Sequence, residues 1–425
     1  MKLVESIKFL ICCLLFASPM ATATTVIQAK GYVDVSSGQL VEPATLVIEG
    51  ELIQAINPEQ LPESAEIIDL GDHILLPGLM DMHTHLDLDF NNGFDHIITK
   101  ESASKGAIRG VKNAERTLMA GFTTVRNIGQ VHLTTDLIDV AVAEASDEGW
   151  IKAPRIIPAG HMISIQGGHA DFTLALADNL IPQTPYNGIV NGPYEAIAAV
   201  RYQIKNGAKV IKMHATAGVL SMEDSVGAQQ LSDEEMAAIV AEAHRHHVKV
   251  AAHAHGTEGI KAAIRAGASS IEHGSLLDDE GIKMMKKSGV YLVPTSGADD
   301  FIDNSQLHPK LAKKADYIMP LAQENLKKAI KAGVKIALGT DAPLIPHGQN
   351  AHEITVMVKH GMTPLQAIQS ATTHTADLLG VSDRGEIKTG LLADIIAVQD
   401  NPLQNIETVK TVTFVMKGGQ VYKQP

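Results

Sequence analysis

His83 and His85, in Asp81-Met-His-Thr-His, are one residue apart, and Lys212, His253, His273 and Asp341 each stand at or near the end of a short apolar run. Neutral imidazole and carboxylate are ligands for zinc or another divalent transition ion. In an extended strand the period of two turns both histidines of a His-x-His pair to one face, where they can grip one ion. A single inward histidine is ordinarily a hydrogen-bonded structural residue, but coincidence is a poor account of six such groups at strand ends. Lys212 is the odd member. As an ammonium ion it repels metals and is costly to bury. It therefore either pairs with Asp341 or has reacted with carbon dioxide to give a carbamate, an anionic group able to bridge two cations. Cys12 and Cys13 are the only cysteines and lie near the start of the chain, which leaves nitrogen and oxygen as metal ligands.

The elements that must carry these side chains can be read from apolar runs alternating with helical patterns. Eight strands are expected: Leu79-Met-Asp-Met-His-Thr-His, Thr123-Thr-Val-Arg-Asn, Arg155-Ile-Ile-Pro-Ala-Gly, Val210-Ile-Lys-Met-His, Val250-Ala-Ala-His-Ala-His, Ser270-Ile-Glu-His, Tyr291-Leu-Val-Pro-Thr and Ile336-Ala-Leu-Gly-Thr-Asp. Helices are expected over 101–120, over 232–247 behind the capping box Ser232-x-x-Glu235, and from Thr363-Pro364. The spacing predicts an α/β fold, a TIM-like (β/α)₈ barrel over 78–382, whose catalytic residues belong at the carboxyl ends of the strands. An open doubly wound sheet is the alternative, but no glycine-rich phosphate loop opens it. Residues 24–77 and 383–425 read as short strands and turns, and the two ends are expected to form one small β-sandwich domain.

Lys2 and Lys8 flank the start of the apolar run Phe9-Leu-Ile-Cys-Cys-Leu-Leu-Phe-Ala, and Ala21-Thr-Ala follows it. Residues 1–23 therefore read as a secretory signal peptide, since the run is too short to span a bilayer. A secreted or periplasmic protein without stable membrane association is expected. Acidic residues (48) outnumber Lys plus Arg (35), and the cations are scattered, which argues against a nucleic-acid partner.

The order His-x-His, Lys, His, His, Asp on strands one, four, five, six and eight, with a β-domain from both chain ends, resembles the amidohydrolase superfamily in its binuclear, carboxylated-lysine form. The segments Val210-Ile-Lys-Met-His-Ala-Thr-Ala-Gly, Ala251-Ala-His-Ala-His-Gly, Ile271-Glu-His-Gly and Leu338-Gly-Thr-Asp-Ala-Pro are similar to those of its Xaa-Pro and Xaa-Arg/Lys dipeptidases and ochratoxin-hydrolysing amidases. The resemblance implies two divalent ions, zinc being the ion expected. His83, His85 and Asp341 would hold the more buried ion, His253 and His273 the more exposed one, and carboxylated Lys212 would bridge them. A hydroxide shared by the metals would attack the scissile carbonyl, and Asp341 would pass its proton to the leaving amine. His169, in Gln166-Gly-Gly-His-Ala-Asp, resembles the family's substrate-contacting histidine that stabilises the developing oxyanion.

His255 shares a face with His253, so substrate contact and support of a ligand are both open to it, as they are to His214. Ser221 lines the site in the loop after strand four. Arg126 is expected to pair with an inward acid such as Asp81. His244, His246 and His247 read as solvated surface. A metallopeptidase or amidase for small molecules or short peptides is the leading reading, and a homo-oligomer is compatible with it. Lactone or phosphotriester hydrolysis on the same metals is the second, and a non-catalytic metal-binding protein the third. The loops 215–231 and 295–320 are expected to set specificity, but no pattern in them names the substrate.

Overall fold

The computed structural model describes residues 24–89, 94–174, 176, 181–223 and 225–425. The signal-peptide reading of 1–23 lies outside them. Among the described residues, no helix is long and apolar enough to cross a membrane.

Two parallel sheets carry the chemistry-bearing segments. One is built from Leu79–Thr84, Phe122–Asn127 and Arg155–Pro158, the first to third strands. The other is built from Val210–His214, Lys249–Ala254, Ser270–His273 and Tyr291–Val293, the fourth to seventh. Most of their residues are buried, as expected of parallel strands covered by helices on one face and by opposing strands on the other.

Backbone hydrogen bonds bridge the gaps between the sheets. Lys209 N donates to Pro158 O, and Ile163 pairs with the fourth strand through Lys212 O and His214 N. On the other side Leu292 N donates to Lys335 O, Met82 N to Leu338 O and Asp341 N to His83 O, so the segment 335–341 lies between the seventh strand and the first. The run of strands thus returns to its start. The expected eighth strand is not a continuous ladder, however, and makes isolated bridges at Ile336 and Ala342. Gly339 gives the reason. A Cβ there would lie 2.3 Å from Val293 Cγ1 and 2.8 Å from His83 Cβ, so this segment passes too close to its neighbours to carry side chains in strict alternation.

The helical signals act as their chemistry dictates. Ser232 Oγ accepts from Glu235 N, while Glu235 Oε2 accepts from Ser232 N, opening the helix Asp233–Arg245. Thr363 and Gln366 do the same for Pro364–Ser370. The helix expected over 101–120 is Ala103–Met119, opened by Ser102, which adopts extended backbone and caps it; a separate helix, Phe94–Lys100, precedes it.

Strands from both chain ends share one six-stranded sheet, in the order Gln420–Lys423, Phe414–Lys417, Ile395–Val398, Ile74–Pro77, Gly31–Asp34, Gln39–Val41. A four-stranded sheet of Leu52–Ile56, Ala44–Glu49, Thr24–Ala29 and Glu66–Asp69 contributes Ile27, Leu46 and Ile53 to an apolar cluster with Leu75, Ile395 and Phe414. Asp394 ties this region to the third parallel strand. Its Oδ2 lies 2.6 Å from Arg155 Nη1, its Oδ1 accepts from Gly418 N at 2.8 Å, and its backbone carbonyl accepts from Gly78 N. Because Asp394 is buried, Asp394→Ala leaves a half-buried guanidinium and an amide without their partner. A loss of about 2–3 kcal/mol is expected. It should appear as a lower denaturation midpoint in urea, whereas an unchanged midpoint would show that the two regions are held together elsewhere.

Candidate metal centre

The first strand turns His83 and His85 to the same side, and each has one ring nitrogen already engaged. His83 Nδ1 donates to Glu272 Oε2 at 2.9 Å, and His85 Nδ1 donates to the Gly129 carbonyl at 2.8 Å. The two remaining Nε2 atoms both lie 3.3 Å from Asp341 Oδ1. His273 repeats the pattern, with Nδ1 hydrogen-bonded to Thr295 Oγ1 at 2.8 Å. A ring fixed through one nitrogen presents the other in a set direction, which is how histidine ligands are held in metal sites.

The ligand atoms converge in three groups, each lying within 4.8 Å: His83, His273 and Asp341; His253, His255 and His273; and His169, His214 and His253. His253 Nε2 and both ring nitrogens of His214 are buried without a hydrogen-bond partner among the described residues. Such atoms are costly unless something coordinates them. Burial, reinforced by neighbouring imidazoles, holds His214, His253 and His273 well below the usual histidine range, so they are neutral and have lone pairs to give. Burial opposes ionisation of Asp341, but the adjacent His83, with hydrogen bonds from His83 and His85, holds its carboxyl well below the usual carboxylate range. The donor set fits divalent cations.

Lys212 lies in the fourth strand, one residue before Met213, and is buried. Burial pushes its amine down to about 8, although the charges of Glu272 and Asp341 work the other way. Among the described residues no carboxylate forms an ion pair with it, so the expected alternative of a pair with Asp341 is not found.

Arg126 does pair with an inward acid, but that acid is Glu272 at 2.7 Å and not Asp81. Asp81 is occupied by Thr340 Oγ1, Thr340 N, Asn350 Nδ2 and His83 N. Glu272 was not singled out from sequence because strand alternation puts it opposite His273. His273 has φ +68°, and this left-handed turn at the strand end lets both consecutive residues face His83. An acid in the middle of an apolar strand was the available signal.

His169 Nδ1 lies 2.5 Å from Ser221 Oγ and 3.6 Å from Glu223 Oε1, and its ring stacks on His253 with centroids 4.4 Å apart. This leaves Nε2 as its other polar atom. The close approach depends on Gly218, where a Cβ would lie 2.1 Å from the His169 ring. Ser221 thus positions His169 from the loop after strand four. His255 Nδ1 is hydrogen-bonded to Ser275 Oγ at 2.8 Å, and its ring stacks on His273. His169, His253, His255, His273 and Asp341 all open onto one cavity. His244, His246 and His247 are exposed, as their pattern implied.

Glu353 was also missed. Buried on the helix His352–Lys359, it accepts from Ser296 N, Ser296 Oγ and Gly297 N and so fixes the turn after the seventh strand. Burial outweighs these hydrogen bonds and pushes its carboxyl up to about 7.

The profile of the amidohydrolase family matches residues 74–422. Ochratoxinase from Aspergillus niger is 35% identical over 439 aligned residues, covering 97% of this chain and 89% of the relative. A solved Xaa-Pro dipeptidase with methionine bound in its active site superposes with a TM-score of 0.89 at 39% identity, covering 94% of this chain and all of that one. A prolidase solved with N-methylphosphonate-L-proline gives 0.86 at 30% identity, over 95% of this chain. These relatives imply a TIM-barrel-like α/β fold.

Glu272→Gln leaves a single uncharged oxygen to serve both His83 and Arg126, so zinc affinity measured by chelator competition should fall by roughly 10–100-fold; unchanged affinity would remove Glu272 from the support of His83. Glu353 has a folded value of about 7 above an ordinary 4.5, so it contributes stability while protonated. That contribution is complete below about pH 4.5 and is lost as the pH rises through 7. Between those limits wild type should therefore lose on the order of 2–3 kcal/mol relative to Glu353→Gln, read from paired denaturation curves. A gap that stays constant with pH would show that Glu353 does not titrate there.

Proposed function

The chain belongs to the amidohydrolase family and is a hydrolase of amide bonds, and on that premise we propose that it is an exported, binuclear-metal enzyme cleaving dipeptides or N-acyl amino acids. Its chemistry would sit at one mouth of a (β/α)₈ barrel over 78–382, with 24–77 and 383–425 forming a composite β-sandwich beside it. The observation that carries the reading is the set of rings whose outer nitrogens are already engaged, by Glu272, Gly129 and Thr295, while their other nitrogens converge around Asp341 and His253. The names of the dipeptidase and prolidase neighbours support an amide as the bond attacked.

His83, His85 and Asp341 are assigned to one ion, His253 and His273 to the other, and Lys212, as its carbamate, to both. Two divalent ions, zinc for preference, would supply there an activated water and a Lewis acid for the scissile carbonyl. An amine pushed down to about 8 is partly unprotonated near neutral pH, which is the form that reacts with carbon dioxide. Asp341, ionised and facing the cavity, accepts the proton of the attacking water and delivers it to the leaving nitrogen. His169 holds a fixed orientation through Ser221, so its Nε2 can donate to the developing oxyanion. His255 stands in the same cavity as a substrate contact.

The test is metal content together with turnover. Lys212→Ala should reduce bound zinc from about two ions towards one or none and abolish hydrolysis. Asp341→Asn should keep part of the metal and lose hydrolysis. Full activity with unchanged metal in Lys212→Ala would end the carbamate assignment. Efficient lactone hydrolysis without cleavage of any dipeptide or N-acyl amino acid would replace the amide reading.

A further inference from the structure

The helix Pro309–Ala332, whose Ile318, Met319, Ala322 and Leu326 line the cavity beside the metal centre, opens with two lysines one turn apart, Lys310 and Lys314. A cation in the first turn of a helix faces its positive end, and no acid stands there to offset Lys310. Both side chains are drawn to other acceptors. Lys310 Nζ donates to the Met222 carbonyl, and Lys314 Nζ donates to the carbonyls of Gly218 at 2.8 Å, Ser221 at 2.7 Å and Glu223 at 3.2 Å. Four carbonyls of the loop after strand four are thus held by one helix.

An ammonium has three hydrogens to give, and Lys314, though buried, finds three acceptors on this single loop. Carbonyl dipoles aimed at one spot repel one another unless a cation stands between them. Among the described residues, 218–223 makes no backbone-to-backbone hydrogen bond, so its shape is left to side chains. The same three residues meet His169 from their other side. A Cβ on Gly218 would lie 2.1 Å from the His169 ring, Ser221 Oγ lies 2.5 Å from Nδ1, and Glu223 Oε1 lies 3.6 Å from it. Glu223 Oε1 also accepts from Gly218 N at 3.0 Å, which closes the loop on itself. The groups that fix His169 Nδ1 therefore stand on backbone that Lys314 fixes.

We propose that Lys314 is a positioning residue for His169: its ammonium gathers the carbonyls of Gly218, Ser221 and Glu223, and through them holds the imidazole where Nε2 meets the substrate. The inference rests on the role given above to His169 and adds a residue that acts through it.

The test uses the zinc-loaded full chain with Lys314→Met, which keeps the length and removes the donors, and Lys314→Arg, which keeps the charge but not the geometry. Two readings need no substrate: amide hydrogen exchange over 218–223, and the nitrogen resonances of the His169 ring. Exchange should quicken by roughly tenfold or more in Lys314→Met and the ring resonances should move, with bound zinc unchanged. For the best of the dipeptides or N-acyl amino acids, kcat should fall by roughly 10–100-fold while KM moves by no more than a few-fold, because the oxyanion contact is made in the transition state. In a His169→Asn background the same substitution should cost less than about threefold, whereas a merely structural lysine would cost the same in both. Equal losses in the two backgrounds would overturn the proposal, as would unchanged exchange or unchanged kcat. Should Lys314→Met not fold, Lys314→Arg carries the same comparisons on a smaller scale. If wild type cleaves no amide, the amide reading alone falls; the exchange and ring resonances then decide the proposal, which stands if both change and fails if either does not.

Discussion

A fully buried carboxylate, Glu272, is the constraint around which the centre is arranged. Such a group is tolerated only when its charge and lone pairs are matched. Arg126 Nη2 lies 2.7 Å from one oxygen, Ser270 Oγ 2.5 Å from the same oxygen, and His83 Nδ1 2.9 Å from the other. Burial alone would raise Glu272, but the Arg126 charge and the His83 hydrogen bond pull it down to about 2. It is therefore a fixed anion. Arg126 also donates through Nε to Met82 O, which locks the second strand to the first beneath the metal-facing histidines. One ionic contact thus sets the tautomer of His83 and holds strands one, two and six in register.

The geometry above that contact depends on backbone that most residues avoid. His273, Thr295 and Asp341 have φ of +68°, +50° and +55°, in the left-handed region that side chains with a Cβ enter at a cost. All three stand where a parallel strand or the 335–341 segment ends. The turn at His273 brings Glu272 and His273 to the same histidine. At Thr295 it comes where Oγ1 meets His273 Nδ1, and at Asp341 it comes where the carboxylate meets the Nε2 atoms of His83 and His85. Strain of this kind persists only where surrounding contacts over-determine it, and the donors gathered by Glu353 behind Thr295 are such contacts.

Sequence made the convergence of ligands visible because strands have a period of two and apolar runs mark them. His83 and His85 needed no more than that, and the capped helices at Ser232 and Thr363 no more than local hydrogen-bond chemistry. What escaped was whatever depends on a break in periodicity. Glu272 was hidden by the assumption that neighbours in a strand face apart, and the eighth strand was drawn too regular because Gly339 does not announce its contact with His83. Arg126 could be assigned a buried acid but not the right one, since the same alternation turns Asp81 inward with His83 and Glu272 away from the face of His273. The wall of the cavity was hidden for another reason: Ile318, Met319, Ala322 and Leu326 have the spacing of any core-facing helix, and only the fold determines that part of this face meets a cavity.

Charge counting then bears on Lys212. Glu272 is matched by Arg126, so its anion is spent before any metal is considered. Burial holds His214, His253 and His273 neutral, and Asp341 is the ionised carboxylate facing the ligand groups. Two divalent ions opposed by a single carboxylate would repel one another strongly in a site removed from water. An ammonium group on Lys212 would add to that repulsion, and a neutral amine would do nothing to relieve it. A carbamate on the same nitrogen supplies a second anion without lengthening the chain of contacts below it. Among the described residues no carboxylate lies within ion-pair distance of Lys212, an arrangement compatible with the carbamate proposed above.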